Sequence, residues 1–326
     1  MNSTLVRTGI RCASEIFVAT GNVAATLGKL ARASLLSPNK FMAGSVVDQM
    51  APCRHSCFVA QELFRGILRA SSPNAVVSRS HLFLRSKLKT DRWFYSAAGA
   101  CFIVTMLVGF RSFVASGTGQ AGRVIDPVIF RLVLIHGLAV AAWFLLFFVQ
   151  ALLIGSRNRR LHFKLGWSVV AVALAIAITG PWVALRSVQV TPSQFQFFGI
   201  PYFRFMLVML TEIALYVVFV TIGIFARKKP RVHRPAMLLA GLCLLAGATV
   251  RMPFLLPVFG TTGWMGLFGA VFCIGAVLLL IRCILTRSFD RWFAAGYAVW
   301  VVILIASVRL ALTDTWGGLA ATILKR

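Results

Sequence analysis

From Trp93 onward the chain is a succession of apolar runs long enough to cross a lipid bilayer, and no other feature limits its fold as tightly. A helix rising about 1.5 Å per residue needs about 20 residues to traverse a hydrocarbon core of about 30 Å. The runs that meet this length are 93–114, 130–154, 165–185, 203–226, 235–258, 264–285 and 292–312. Their apolar residues are continuous rather than alternating, which excludes barrel strands. The helix is then the structure that satisfies every backbone group inside lipid. The expectation is an all-α integral membrane protein, a bundle of seven transmembrane helices. Six or eight spans are the alternatives, because an odd number puts Lys325 and Arg326 on the cation-poor side.

Composition agrees. Apolar residues make up 59% of the 326 and the mean hydropathy is +0.85, beyond the range of water-soluble domains. Lys and Arg number 34 against 8 Asp and Glu. In a soluble protein that imbalance would point to nucleic acid. Here the cations beyond Trp93 gather in short links between spans, where they report orientation, so the expected partner is the lipid bilayer and not nucleic acid.

Residues 1–92 have no apolar run that could cross. They read as a basic, disordered extension on the cytoplasmic side, with residues 93–326 forming the membrane domain. Weakly amphipathic stretches such as Leu5–Leu36 would also suit a helix lying on anionic lipid. The Ser- and Arg-rich, acid-poor composition is also that of a transit peptide, or of sequence upstream of a later start at Met42 or Met50. Cys53 and Cys57 lack the spacing of a redox or zinc pair, and the other cysteines give no disulfide framework.

The links after the second, fourth and sixth spans hold Arg157, Arg159, Arg160 and Lys164; Arg227, Lys228, Lys229, Arg231 and Arg234; and Arg282, Arg287 and Arg291. The alternate links are poor in cations. By the positive-inside rule the amino terminus is cytoplasmic, in what reads as the inner membrane of a bacterium. Arg160-Leu161-His162 and Arg231-Val232-His233 each precede a returning helix, which suggests a parallel repeat of two hairpins.

Ionisable groups inside spans are costly and need a reason. His136, Glu212 and Arg251 lie at similar depth from the outer ends of the second, fourth and fifth spans. They predict an outer-facing polar pocket through which the protein binds or transports a small ligand, with Glu212 and Arg251 in direct or water-bridged contact. A structural ion pair that only fixes packing is the alternative. Arg131, Arg204 and Arg309 lie near span ends and are expected to snorkel to headgroups. Gly137, Gly166, Gly241 and Gly247 are expected to allow close helix approach. His162 and His233 raise a second possibility, bis-histidine ligation of a b-type haem at the cytoplasmic face. Walker, dinucleotide-binding, nucleophile-elbow and HExxH motifs are all missing, which turns the reading away from ATP-driven or hydrolytic chemistry. A structural or regulatory membrane subunit is the third reading.

The segment His136-Gly137, Trp143, Gln150 and Leu161-His162-Phe163-Lys164-Leu165-Gly166-Trp167 resembles an uncharacterised family of bacterial multi-pass membrane proteins. Arg231-Val232-His233-Arg234-Pro235 and Arg251-Met252-Pro253 fit the same pattern. The resemblance covers Asp91 to the end and implies no activity. More remotely, the hairpin plan is similar to transmembrane b-type cytochromes, which hold two haems on four histidines. Only His136 lies in the outer half here, so at most one such bis-histidine site could form.

Overall fold

The structure is a computed structural model that describes residues 73–118 and 125–324, with side chains from Trp93 onward. The expected disorder of residues 1–72 lies outside the described residues. Among the described residues nine α-helices follow one another: α1 (Pro73–Ser116), α2 (Pro127–Gly155), α3 (Arg159–Val190), α4 (Tyr202–Phe225), α5 (Pro230–Thr249), the single turn α6 (Leu256–Phe259), α7 (Gly263–Thr286), α8 (Arg291–Ala311) and α9 (Asp314–Ile323). Seven of these, α1 from Trp93 together with α2, α3, α4, α5, α7 and α8, are long and apolar enough to cross a membrane. The protein is a multi-pass membrane protein with an all-helical fold. Helix α1 starts at Pro73, ahead of the boundary expected at Trp93, so the segment before the first span continues into it as helix.

Helix starts follow local chemistry. The carboxylate of Asp126 accepts from the Val128 N–H at 2.8 Å, and Pro127 occupies the first helical turn of α2. Asn158 caps α3 through Leu161 N–H, and Asp290 caps α8 through Phe293 N–H. Such caps satisfy amide groups that a helix leaves open at its amino end. Arg157 and Arg287 adopt left-handed backbone geometry in the tight links after α2 and α7. These links and the one after α4 gather at one end of the bundle, called here the basic end.

Helices α2, α3, α4 and α5 pack in sequence, and α2 closes the ring on α5. Helices α7 and α8 flank α4 and α5. Helix α1 lies against α2 and α5: a Cβ on Gly99 would come within 3.0 Å of Phe148 Cα, and one on Gly109 would strike the Ala248 backbone. The core is aromatic, with Trp143, Tyr216, Trp300, Phe102 and Phe144 fully buried.

The end opposite the basic links is covered by a small antiparallel hairpin, β1 (Gln196–Phe197) and β2 (Ile200–Pro201). Its two-residue turn places Phe198 at φ 51° and Gly199 at φ 77°, the left-handed pair that suits a tight hairpin. Gly263 N–H donates to the Phe198 carbonyl at 2.9 Å, which ties the hairpin to the start of α7.

Two expectations change. The fifth span stops at Thr249 instead of running to 258, because Pro253 cannot continue the hydrogen-bond ladder and disfavours helix in the residue before it. Arg204 does not reach for headgroups. Its guanidinium donates to the carbonyls of Leu312 and Thr313 at 3.2 and 3.3 Å and pairs with Asp314 at 3.1 Å. Trp316 Nε1 donates to the Arg204 carbonyl at 2.9 Å, so α9 is fastened to the start of α4. Arg131 and Arg309 are exposed, as expected of cations near span ends.

Candidate functional site: a cavity between α1, α2, α4 and α5

Beneath the hairpin lies a cavity of about 550 Å³ whose wall includes His136, Glu212 and Arg251. Its size lies within the range of small-molecule sites. The three residues predicted to share one layer are thus brought to one space by α2, α4 and the turn after α5.

His136 is held by a partner that sequence reasoning missed. Its Nδ1 lies 2.9 Å from the Thr179 hydroxyl of α3, and that hydroxyl lies 2.6 Å from the Ala175 carbonyl. A hydroxyl has one proton to give, and the carbonyl can only accept, so Thr179 donates to Ala175 and accepts from His136 Nδ1–H. In the neutral ring Nε2 is then left as the acceptor, on a residue that lines the cavity. A threonine inside an apolar helix gives no signal that would single it out, because such a hydroxyl usually bonds back to its own helix.

Glu212 projects from the middle of α4, and among the described residues its buried Oε1 has no hydrogen-bond partner. The contact expected between Glu212 and Arg251 is not a direct one: among the described residues no ion pair joins them. Arg251 sits two residues beyond the end of α5, where its guanidinium donates to the Gly247 carbonyl and lies 4.7 Å from the centroid of the Phe110 ring. The backbone turn forced by Pro253 directs the side chain along the helix end and towards α1. A carbonyl and an aromatic face thus take the place of the carboxylate.

The glycines divide. Gly241 does allow close approach, since a Cβ there would lie 2.7 Å from the Phe102 ring. Gly137 and Gly166 face open space, with nothing within 4 Å of a Cβ. For Gly137, which lines the cavity beside His136, the missing side chain is part of the cavity volume. The hairpin and the first turn of α4 supply further walls that the sequence did not reveal, with Phe197 of β1 and Tyr202 and Phe205 of α4 forming an aromatic cover.

His162 and His233 lie in the first turns of α3 and α5, at the basic end and away from the cavity. His233 Nδ1 donates to the Gly223 carbonyl at 2.8 Å, which joins α5 to α4. Among the described residues the buried His162 Nδ1 has no hydrogen-bond partner. No group of three or more His, Cys, Asp and Glu residues suited to a metal ion occurs among the described residues. No protein-family model, curated protein or solved structure matches the chain.

Proposed function

We propose that this membrane protein binds a small ligand in the cavity beneath the hairpin, in the half of the bundle nearer the exterior of the cell. The observation that carries the reading is the meeting of His136, Glu212 and Arg251 at one cavity, although they are far apart in the chain and come from separate elements. Among the described residues the Glu212 Oε1 has no hydrogen-bond partner, which leaves it available to a ligand. Ionisable groups at such depth are retained where they meet a ligand, an ion or water. The basic end is cytoplasmic on this reading, because cations concentrate in the links that must stay inside, and the cavity lies at the other end. The bilayer is the cytoplasmic membrane of a bacterium.

The test is a thermal-shift survey of the purified protein against neutral, cationic and anionic amphiphiles. Wild type is compared with Glu212→Gln and Gly137→Trp, the second filling the cavity. Compounds that stabilise the wild type and lose their effect in both variants support a ligand site. Equal responses in all three proteins, or no response to any class, reject it.

A further inference from the structure

The cavity wall has a gap on one side. Helices α1 and α2 are in contact in their basic halves, where Gly99 abuts Phe148 and the Trp93 indole would lie 3.1 Å from a Cβ on Gly155. They meet again at the opposite extreme, where the rings of Phe113 and Phe130 are 6.0 Å apart. Between these two contacts Leu107, Leu134 and Leu138 line the cavity while remaining 58%, 38% and 62% exposed. A bulky side chain that faces a cavity and the outside at once marks the edge of an opening. Behind that edge Gly137 faces open space.

The depth of the opening identifies what lies outside it. Leu134 and Leu138 are about 10 and 16 Å along α2 from its start at Pro127. With a hydrocarbon core of about 30 Å, the opening faces acyl chains rather than water or headgroups.

The polar groups behind it include two acceptors and one donor. His136 offers Nε2 because Thr179 holds its Nδ1–H, and Glu212 offers an unpartnered carboxyl oxygen. The Arg251 guanidinium gives one N–H to Gly247 and lies over Phe110, and its other N–H groups can donate to a ligand oxygen. Around them Phe110, Phe195, Phe197, Phe205 and Phe268 present rings suited to a flat aromatic head.

We infer that the ligand is a membrane-dissolved amphiphile with a hydroxylated aromatic head of the phenol or hydroquinone class. It enters sideways between α1 and α2 and donates hydrogen bonds to His136 and Glu212 while its tail remains in the opening. This inference rests on the reading of the cavity as a ligand site, and it adds the ligand class and the route.

The probe is a decyl-chain hydroquinone added to the full-length protein in lipid nanodiscs. Equilibrium binding is followed by thermal shift, and association by tryptophan quenching. Controls are hydroquinone without a tail and the decyl compound with both hydroxyls methylated. The decyl hydroquinone should stabilise the wild type. Methylation or Glu212→Gln should weaken binding by about tenfold or more, the loss expected when one or two hydrogen bonds disappear. Leu138→Trp, at an exposed position where folding is little affected, should slow association by about tenfold without altering the unliganded midpoint. If tail-less hydroquinone binds equally well, depends on Glu212 and ignores Leu138→Trp, lateral entry is refuted and the cavity reading survives. If the methylated probe binds as tightly as the parent, the assigned head is wrong. If Glu212→Gln and Gly137→Trp leave every response unchanged, the cavity is not the site and both readings fall. Absence of binding by the decyl probe overturns the proposed ligand class.

Discussion

Replacing Glu212 by Leu should make the protein more stable while removing its capacity to bind ligand. The carboxyl has one oxygen buried without a protein partner in a mostly apolar cavity. An unsatisfied buried polar group costs about 1–3 kcal/mol, and an apolar replacement of similar shape removes that cost. The usual penalty for breaking a buried ion pair comes from the charge left behind. Here Arg251 keeps its bond to Gly247 and its place over Phe110, so it is not left alone. The expected gain is therefore about 1–3 kcal/mol. In a described domain of this size that corresponds to a rise of about 2–10 °C in unfolding midpoint. The assay is detergent-solubilised unfolding at one fixed scan rate, since membrane proteins of this size often unfold irreversibly. A fall in midpoint of more than a few degrees would refute the reasoning and make Glu212 a structural element with partners of its own.

Gly109→Ala should destabilise by about 1–3 kcal/mol, because the new methyl meets the α5 backbone at Ala248 and no flexible side chain can give way; chemical unfolding in mixed micelles measures it. Arg204→Leu should release α9, whose attachment uses the Leu312 and Thr313 carbonyls and Asp314, and limited proteolysis should then cut between 312 and 324 faster than in wild type. Cysteine introduced at Asn158 or Lys229 should resist membrane-impermeant maleimide in intact cells, and labelling from outside would reverse the orientation. The absorption spectrum of the purified protein tests bis-histidine ligation by His162 and His233, which both begin their helices at the basic end: a reducible Soret band would support the redox alternative, and its absence would remove it.

Hydropathy made the seven spans legible, since in lipid the length of an apolar run and the length of its helix are bound together. The same logic exposed His136, Glu212 and Arg251: an ionisable residue in an apolar run stands out by its cost. What the sequence could not show was direction. Gly137 and Gly241 look alike in the chain, yet one faces a void and the other an aromatic ring, because helical phase relative to neighbours is set by packing. Arg251 falls in an apolar run whose helix stops at Thr249 ahead of Pro253, and depth along that run does not show the turn that carries its side chain to Gly247 and Phe110. The hairpin escaped notice because two residues per strand leave no alternating pattern. Helix α9 escaped because its ten residues fall short of a span.

Helix α5 is the least hydropathic of the seven candidate spans and the most enclosed, with 67% of its apolar window buried against at most 39% in the others. A segment surrounded by protein in the finished fold must still leave the insertion machinery, and there it meets lipid before its neighbours have assembled. Arg231, His233 and Arg234 near its start make solitary entry costly. Helix α4 is apolar enough to partition unaided, and it is joined to α5 by a four-residue link and by the bond from His233 to the Gly223 carbonyl. Biogenesis therefore favours delivery of α4 and α5 together, as a paired hairpin. Lengthening the link or removing the imidazole should appear first as a defect in membrane integration of nascent chains, before any loss in the mature protein.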